Sequence, residues 1–217
     1  MLSAILGLCG SRLGNRPDFV VRIVARSLPR GRHDATVTED ANAALVVIDV
    51  QKGFDEREYW GPRNNPGCEA NVAALLAHWR EHGRPVVFVR HDSDEPHSPL
   101  RPDAPGNAFK DVVTGEPDVL IAKRTNSCFY GEPDLHQWLQ RRDIRRLFLC
   151  GITTNHCCET TARMGGNLGY DVTFVLDATH TFDRGDLTAD ELAKATATNL
   201  QGEFATVVST QDVLGGA

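Results

Sequence analysis

The chain has 217 residues, a formal charge of −6, and 41% hydrophobic and 24% charged residues, a make-up that suits one α/β domain with a substantial core and leaves little room for two. Residues 1–33 carry six Arg and one Asp, which leaves −11 for the rest; so acidic a body argues against a nucleic-acid surface, because phosphate binding needs clustered cations. No apolar run approaches the roughly 18–20 residues of a membrane span.

The first forty residues are Arg-rich, poor in acids and apolar only in short patches at 1–9 and 19–25. That composition resembles an organellar transit peptide, with an unstructured extension as the alternative. The expected division is an extension over 1–40 and a catalytic domain over 41–217. The six cysteines, Cys9, Cys68, Cys128, Cys150, Cys157 and Cys158, form no CxxC pair and no zinc ladder. They read as reduced thiols of a cytoplasmic enzyme.

From residue 43 onward, apolar strands alternate with amphipathic helices. Ala44–Asp49 is a continuous β-branched run, as in a strand buried on both faces. Glu69–His82 sets Val72, Leu75, Leu76 and Trp79 at helical spacing and stops at Gly83. Pro85–Arg90 reads as the second strand, and a long loop rich in Pro, Asp and Gly runs from His91 to Pro117. Asp118–Ala122 is the third strand, followed by Lys123. A helix starts at Pro133 with Leu135, Trp138 and Leu139 on its apolar face. Arg145–Cys150 is the fourth strand, Cys157–Leu168 a helix, and Val172–Leu176 the fifth strand. Thr188–Leu200 is a helix with Thr188 and Glu191 in capping-box spacing, and Ala205–Ser209 closes the sheet. The alternation predicts a three-layer, doubly wound α/β fold with a mostly parallel six-stranded sheet.

In such folds ligands bind beyond the carboxyl ends of the strands. Asp49 ends the first strand, Lys123 the third, and Cys157 follows the fourth through the turn Gly151-x-x-Thr154-x-x-Cys157. Each has an ordinary structural explanation alone, as turn cap, solvated strand end and small core residue. Together they place an acid, a cation and a thiol along one edge. A thiol at a helix N-terminus has its pKa lowered, and the thiolate is the nucleophilic form.

Asp49-Val50-Gln51, Lys123 with Ser127 and Phe129, and Gly151-Ile152-Thr153-Thr154-Asn155-His156-Cys157 with Thr161-Ala162 resemble the isochorismatase-like cysteine hydrolases over about residues 43–214. This superfamily includes nicotinamidases, N-carbamoylsarcosine amidohydrolase and ureidoacrylate amidohydrolase. Cys158 stands where Val is more usual, and Cys128 where Ala is common. The resemblance implies an isochorismatase-like, Rossmann-like fold, no cofactor, a small-molecule substrate and a homo-oligomer. It implies Asp49 as general base, Lys123 as the group that holds and polarises the pair, and Cys157 as nucleophile. It further implies a cis peptide at Ile152–Thr153 and an oxyanion hole made by the backbone N–H groups of Thr153 and Cys157. Losing one such donor typically costs roughly 3–4 kcal/mol of transition-state stabilisation.

The expected reaction is cleavage of a C–N bond in a small amide or ureide through a Cys157 thioester. The alternatives are a metal-assisted nicotinamidase, a vinyl-ether hydrolase, and a redox-sensing thiol protein using Cys157 and Cys158. Nicotinamidases place Asp and His metal ligands in the neighbourhood of His91, Asp92, Asp94 and His97. Their Asp-x-His spacing is not reproduced by Asp94-x-x-His97, so these four read as loop residues and no metal is expected. His156 as partner of Cys157 is a further alternative. Phe54, Trp60, Arg63, Asn64 and Phe129 are the substrate-binding candidates, with core packing as the competing reading for Phe54, Trp60 and Phe129 and turn formation for Asn64 and the neighbouring Asn65.

Overall fold

The computed structural model describes residues 42–215. The N-terminal segment expected as an extension lies outside them. In chain order the elements are β1 (Ala43–Ile48), α1 (Arg57–Trp60), α2 (Cys68–Glu81), β2 (Val86–His91), β3 (Val119–Lys123), α3 (Leu135–Gln140), β4 (Arg146–Ile152), α4 (Glu159–Asn167), β5 (Asp171–His180), α5 (Ala189–Leu200), β6 (Thr206–Val208) and α6 (Thr210–Leu214). The strands form one sheet in the order β3-β2-β1-β4-β5-β6, and every neighbouring pair is parallel. The expected mostly parallel sheet is thus parallel throughout. Every residue of β1 is buried, as a continuous apolar run at the centre of a two-sided sheet requires.

Two cores flank the sheet. On one face Val72, Leu75, Leu76 and Trp79 of α2 join Val213 of α6 against Leu45, Val47 and Phe148. On the other, Leu135 and Leu139 of α3, Ala162 of α4 and Leu200 of α5 pack on Val46, Ile48, Val89 and Leu149. Local chemistry sets the helix ends. The Asp134 side chain accepts from the Gln137 N–H at the start of α3, and Thr188 and Glu191 form the reciprocal capping box of α5, satisfying N–H groups that have no partner inside the helix.

Three details depart from the sequence reading. A π-helical turn over Thr154–Cys158 precedes α4, so Cys157 lies in that turn and not at the start of an α-helix. β5 runs on to His180 because the Asp177 and Thr179 part of its polar tail is bonded: Asn65 and Asn71 donate to the Asp177 carbonyl, and the Thr179 hydroxyl bonds that of Thr154 at 2.8 Å. Burial of satisfied polar groups breaks the apolar signature without ending the strand. Finally, α6 is a single short turn of helix capped by Ser209 and Asp212, too brief for a periodic signal.

The β1–β4 seam, where the strand order reverses, closes around Gly151. Its φ is +127°, and a Cβ there would lie 2.0 Å from the Ile48 carbonyl oxygen, itself backbone that cannot yield. Only glycine meets both demands. Gly151→Ala should therefore lower stability by more than about 3 kcal/mol. Urea unfolding followed by circular dichroism measures this, and a variant as stable as wild type would show that the seam relaxes.

Candidate active site

Four side chains meet at the carboxyl edge of four adjacent strands. Lys123 ends β3 and is registered with His91, the last residue of β2. Asp49 follows β1, with its N–H bonded to the Val89 carbonyl at 2.9 Å. Cys157 follows β4 through the π-helical turn. Asp49 has φ +53°, a left-handed conformation that Asp tolerates better than most residues. It turns the chain at the end of β1 and leaves the carboxylate at the seam.

The Lys123 ammonium is the hub. Its three N–H groups are shared among four acceptor atoms, Asp49 Oδ2 at 2.5 Å, Thr125 O at 3.1 Å, His91 Nδ1 at 3.2 Å and Cys157 Sγ at 3.3 Å. Asp49 and the Lys123 side chain are fully buried. Burial alone would lower the lysine pKa, but the Asp49 carboxylate and the thiol beside it outweigh that loss and hold the group charged. The second oxygen, Asp49 Oδ1, is buried without a partner. An acceptor in that state is costly unless a donor reaches it, and a carboxylate oxygen of Asp49, a ring nitrogen of His91 and Cys157 Sγ all lie within 4.8 Å of one another.

This environment reverses the expectation of a thiolate. Burial, and then the neighbouring Asp49 charge, push the Cys157 thiol well above its ordinary range, and Lys123 offsets only part of the rise. The charge of Lys123 is already committed to Asp49. Cys157 rests as a neutral thiol next to an ionised carboxylate. Cys158 is fully buried in the core, and burial pushes its thiol up as well.

The other sequence candidates divide. His91 is the one member of the loop group that joins the trio. Burial, then the Lys123 charge, lower its pKa, so it is neutral at neutral pH. Asp92 is held by Arg90 at 2.8 Å and Asn107 at 3.0 Å, Asp94 pairs with Arg124, and His97 is exposed. The four do not converge on one point. Asp49, His91 and Cys157 do converge, but each already faces the Lys123 ammonium, which stands where a cation would have to sit. The donor set therefore does not fit a metal. His156 faces Arg184 at 3.5 Å. Arg63 is forked onto Glu69 at 2.7 and 2.8 Å, and Asn64 ties its loop to Thr181 and Ala189. Phe129 stacks on Tyr170 at 5.7 Å. Among the described residues no hydrogen bond joins these last three side chains to the trio. Phe54 and Trp60 stack with Phe182 in an aromatic cluster, at ring separations of 4.8 to 6.2 Å. A groove of about 620 Å³ lined by Asn65, Asp177, Lys194 and Asp212 contains none of the trio.

Two residues to which the sequence reading gave no role complete the surroundings. Gln51 is buried; it accepts from the His91 N–H at 2.8 Å and donates to the His91 carbonyl at 3.1 Å, which clamps the end of β2 beside β1. Exposed Asn126 offers its Oδ1 to Cys157 Sγ at 3.8 Å. Nothing in the local pattern of Arg124-Thr125-Asn126 sets that residue apart.

A model of the isochorismatase domain matches residues 43–212. The chain belongs to the isochorismatase family. It is 40% identical to an uncharacterised isochorismatase family protein, YrdC, of Bacillus subtilis, over 79% of this chain and 94% of that one. It is 33% identical to nicotinamidase 3 of Arabidopsis thaliana, over 76% and 84%. A solved isochorismatase-family protein from Chromobacterium violaceum superposes with a TM-score of 0.77 at 38% identity, covering 82% of this chain and 94% of that one. Members of the family are hydrolases, and the chain is an isochorismatase-family hydrolase. No helix among the described residues is long and apolar enough to cross a membrane.

Two stability measurements follow from this geometry. Lys123→Met should cost about 3–5 kcal/mol in urea unfolding, because it strands a buried carboxylate, and a loss under about 1 kcal/mol would mean that Asp49 is not ionised in the folded protein. The second concerns His180, fully buried 3.9 Å from Glu69 with neither ring nitrogen bonded. Burial, then Arg63, push its pKa down to about 3, so between about pH 6.5 and that value the unfolded chain binds the extra proton and stability falls as pH falls, by up to about 1.4 kcal/mol per unit. His180→Phe should flatten this part of the stability–pH curve; an unchanged slope would assign it to other groups.

Proposed function

We propose that the protein hydrolyses a C–N bond of a small amide or ureide through a thioester on Cys157. The observation that carries this reading is the shared ammonium: Lys123 touches Asp49 and Cys157 at once, 2.5 and 3.3 Å away. In the first step Asp49 takes the thiol proton as Sγ attacks the carbonyl carbon. The proton transfer neutralises the carboxylate as it creates a thiolate, so the single negative charge stays beside the same ammonium and needs no new solvation. The tetrahedral intermediate collapses with loss of the amine or ammonia, which takes the proton from Asp49. A water, deprotonated by Asp49, then attacks the thioester and releases the acid, and Asp49 returns that proton to the departing Cys157 thiolate.

The developing oxyanion needs donors that are not already used. Among the described residues the Thr153 N–H donates to no backbone carbonyl, which supports its role with the Cys157 N–H as oxyanion donor. The chemistry named in the Arabidopsis relative, amide hydrolysis, agrees with this reading. Its metal-assisted form is disfavoured by the scattered Asp92, Asp94 and His97, and a sensing role for adjacent thiols by the burial of Cys158 within the core.

Ammonia release from a panel of small carboxamides, ureides and carbamoyl compounds tests the assignment. Cys157→Ser should lose nearly all turnover, Asp49→Asn roughly 10²–10⁴-fold in kcat, and Cys158→Ala little. Wild-type rates in Cys157→Ser, or no turnover of any C–N substrate by the wild-type protein, would overturn it.

A further inference from the structure

The imidazole of His91 is the group at this edge to which the reaction above gives no task. An ammonium nitrogen has no lone pair, so the 3.2 Å contact between Lys123 Nζ and His91 Nδ1 is a hydrogen bond only if Nδ1 is the acceptor. Nδ1 then carries no proton, and the neutral ring must carry its proton on Nε2. Lys123 thus fixes the tautomer, as a metal or a carboxylate does elsewhere. Gln51 fixes the backbone, holding both the N–H and the carbonyl of His91, and Asn107 bonds the same carbonyl at 3.2 Å. Among the described residues Nε2 has no hydrogen-bond partner. Of the four convergent side chains His91 is half-buried, whereas Asp49, Lys123 and Cys157 are buried, so the imidazole is the member open to an incoming molecule.

The charges around the ring keep it neutral. Lys123 faces it from β3, and Asp49 lies across from it after β1; Asp92 and Asp94 belong to its own loop. Those two acids are compensated by Arg90 and Arg124, and Asp49 by Lys123 itself. Protonating His91 would set a second cation 3.2 Å from the ammonium and destroy the hydrogen bond.

We propose that His91 binds the substrate, its Nε2–H donating to an acceptor oxygen of the amide or ureide as that molecule approaches Cys157. This role rests on Cys157 as the reacting group. It makes the site selective for substrates with an oxygen acceptor near the scissile bond.

Two measurements on the intact protein test it. A long-range ¹H–¹⁵N NMR spectrum of His91, assigned with the His91→Asn variant, should show the neutral Nε2–H tautomer at neutral pH, charging only below the ordinary imidazole range; the Nδ1–H tautomer or a charged ring at neutral pH would overturn the proposal. The second compares alkylation of Cys157 by iodoacetamide, which has an amide oxygen, with allyl bromide, which has no acceptor, using mass spectrometry to locate the adduct. Asn keeps an acceptor at the Nδ1 position but no donor at the Nε2 position, so His91→Asn should slow iodoacetamide roughly tenfold and leave allyl bromide unchanged. His91→Gln, whose amide reaches the Nε2 position, should recover part of the loss. Equal rates of iodoacetamide labelling in wild type and His91→Asn, or an equal loss with both reagents, would overturn the donor role while leaving Cys157 as the reacting group. Labelling of Cys158 in place of Cys157 in the wild-type protein would instead overturn the Cys157 reading and the His91 role with it.

Discussion

One buried positive charge organises this protein's candidate site. Lys123 sits in the interior at the end of β3 with Asp49, His91, Thr125 and Cys157 as its acceptors. A cation in that position is tolerable only with a partner ionised beside it, and Asp49 is that partner. Everything else about the site follows from how the charge is divided. Asp49 remains a carboxylate with one oxygen free, His91 must present its lone pair and so stays neutral, and Cys157 keeps its proton. The arrangement stores a base and a protonated nucleophile side by side, with the counter-charge already in place for either location of the proton.

The sheet supplies the convergence. In a parallel sheet every strand ends on the same edge, so β3, β2, β1 and β4 deliver Lys123, His91, Asp49 and the Cys157 turn as four neighbours in space from distant places in the chain. Gly151 lets β4 approach β1 closely enough for the seam to close, and the left-handed Asp49 turns away from it. Gln51, two residues on, then binds β2 back to β1. The same few residues thus serve the fold and the site.

Much of this was legible in the sequence, for identifiable reasons. β1 and α2 carry unmixed signals: a β-branched run with no polar interruption, and four apolar residues at helical spacing ending at a glycine. The capping box of α5 is written in two residues. Asp49, Lys123 and Cys157 were visible as polar residues at the ends of apolar runs. What escaped was whatever depends on neighbours from elsewhere. His91 looked like the first residue of a polar loop, because its partnership with Lys123 exists only once β2 and β3 pair. The tail of β5 looked like a loop because Asp177, Thr179 and His180 break the apolar run, though Asp177 and Thr179 are bonded by side chains and backbone from other segments. The π-helical turn has no local code, and the expectation of a thiolate failed because burial and the Asp49 charge act on Cys157 only once the strands assemble. Arg63 and Asn64 drew attention as polar groups near Asp49, whereas their hydrogen bonds run to Glu69, Thr181 and Ala189.

The most direct test is the protonation state of Cys157 in the free protein. Thiolate absorbance in the ultraviolet, taken as the difference between wild type and Cys157→Ser, can be followed from about pH 5 to about pH 9, a span that brackets the ordinary thiol pKa. If Lys123 is committed to Asp49, no thiolate signal from Cys157 should appear through neutral pH, and it should stay small at the alkaline end. A full thiolate signal at neutral pH would contradict the account, since it would place the negative charge on sulfur and the proton on Asp49 before any substrate is bound.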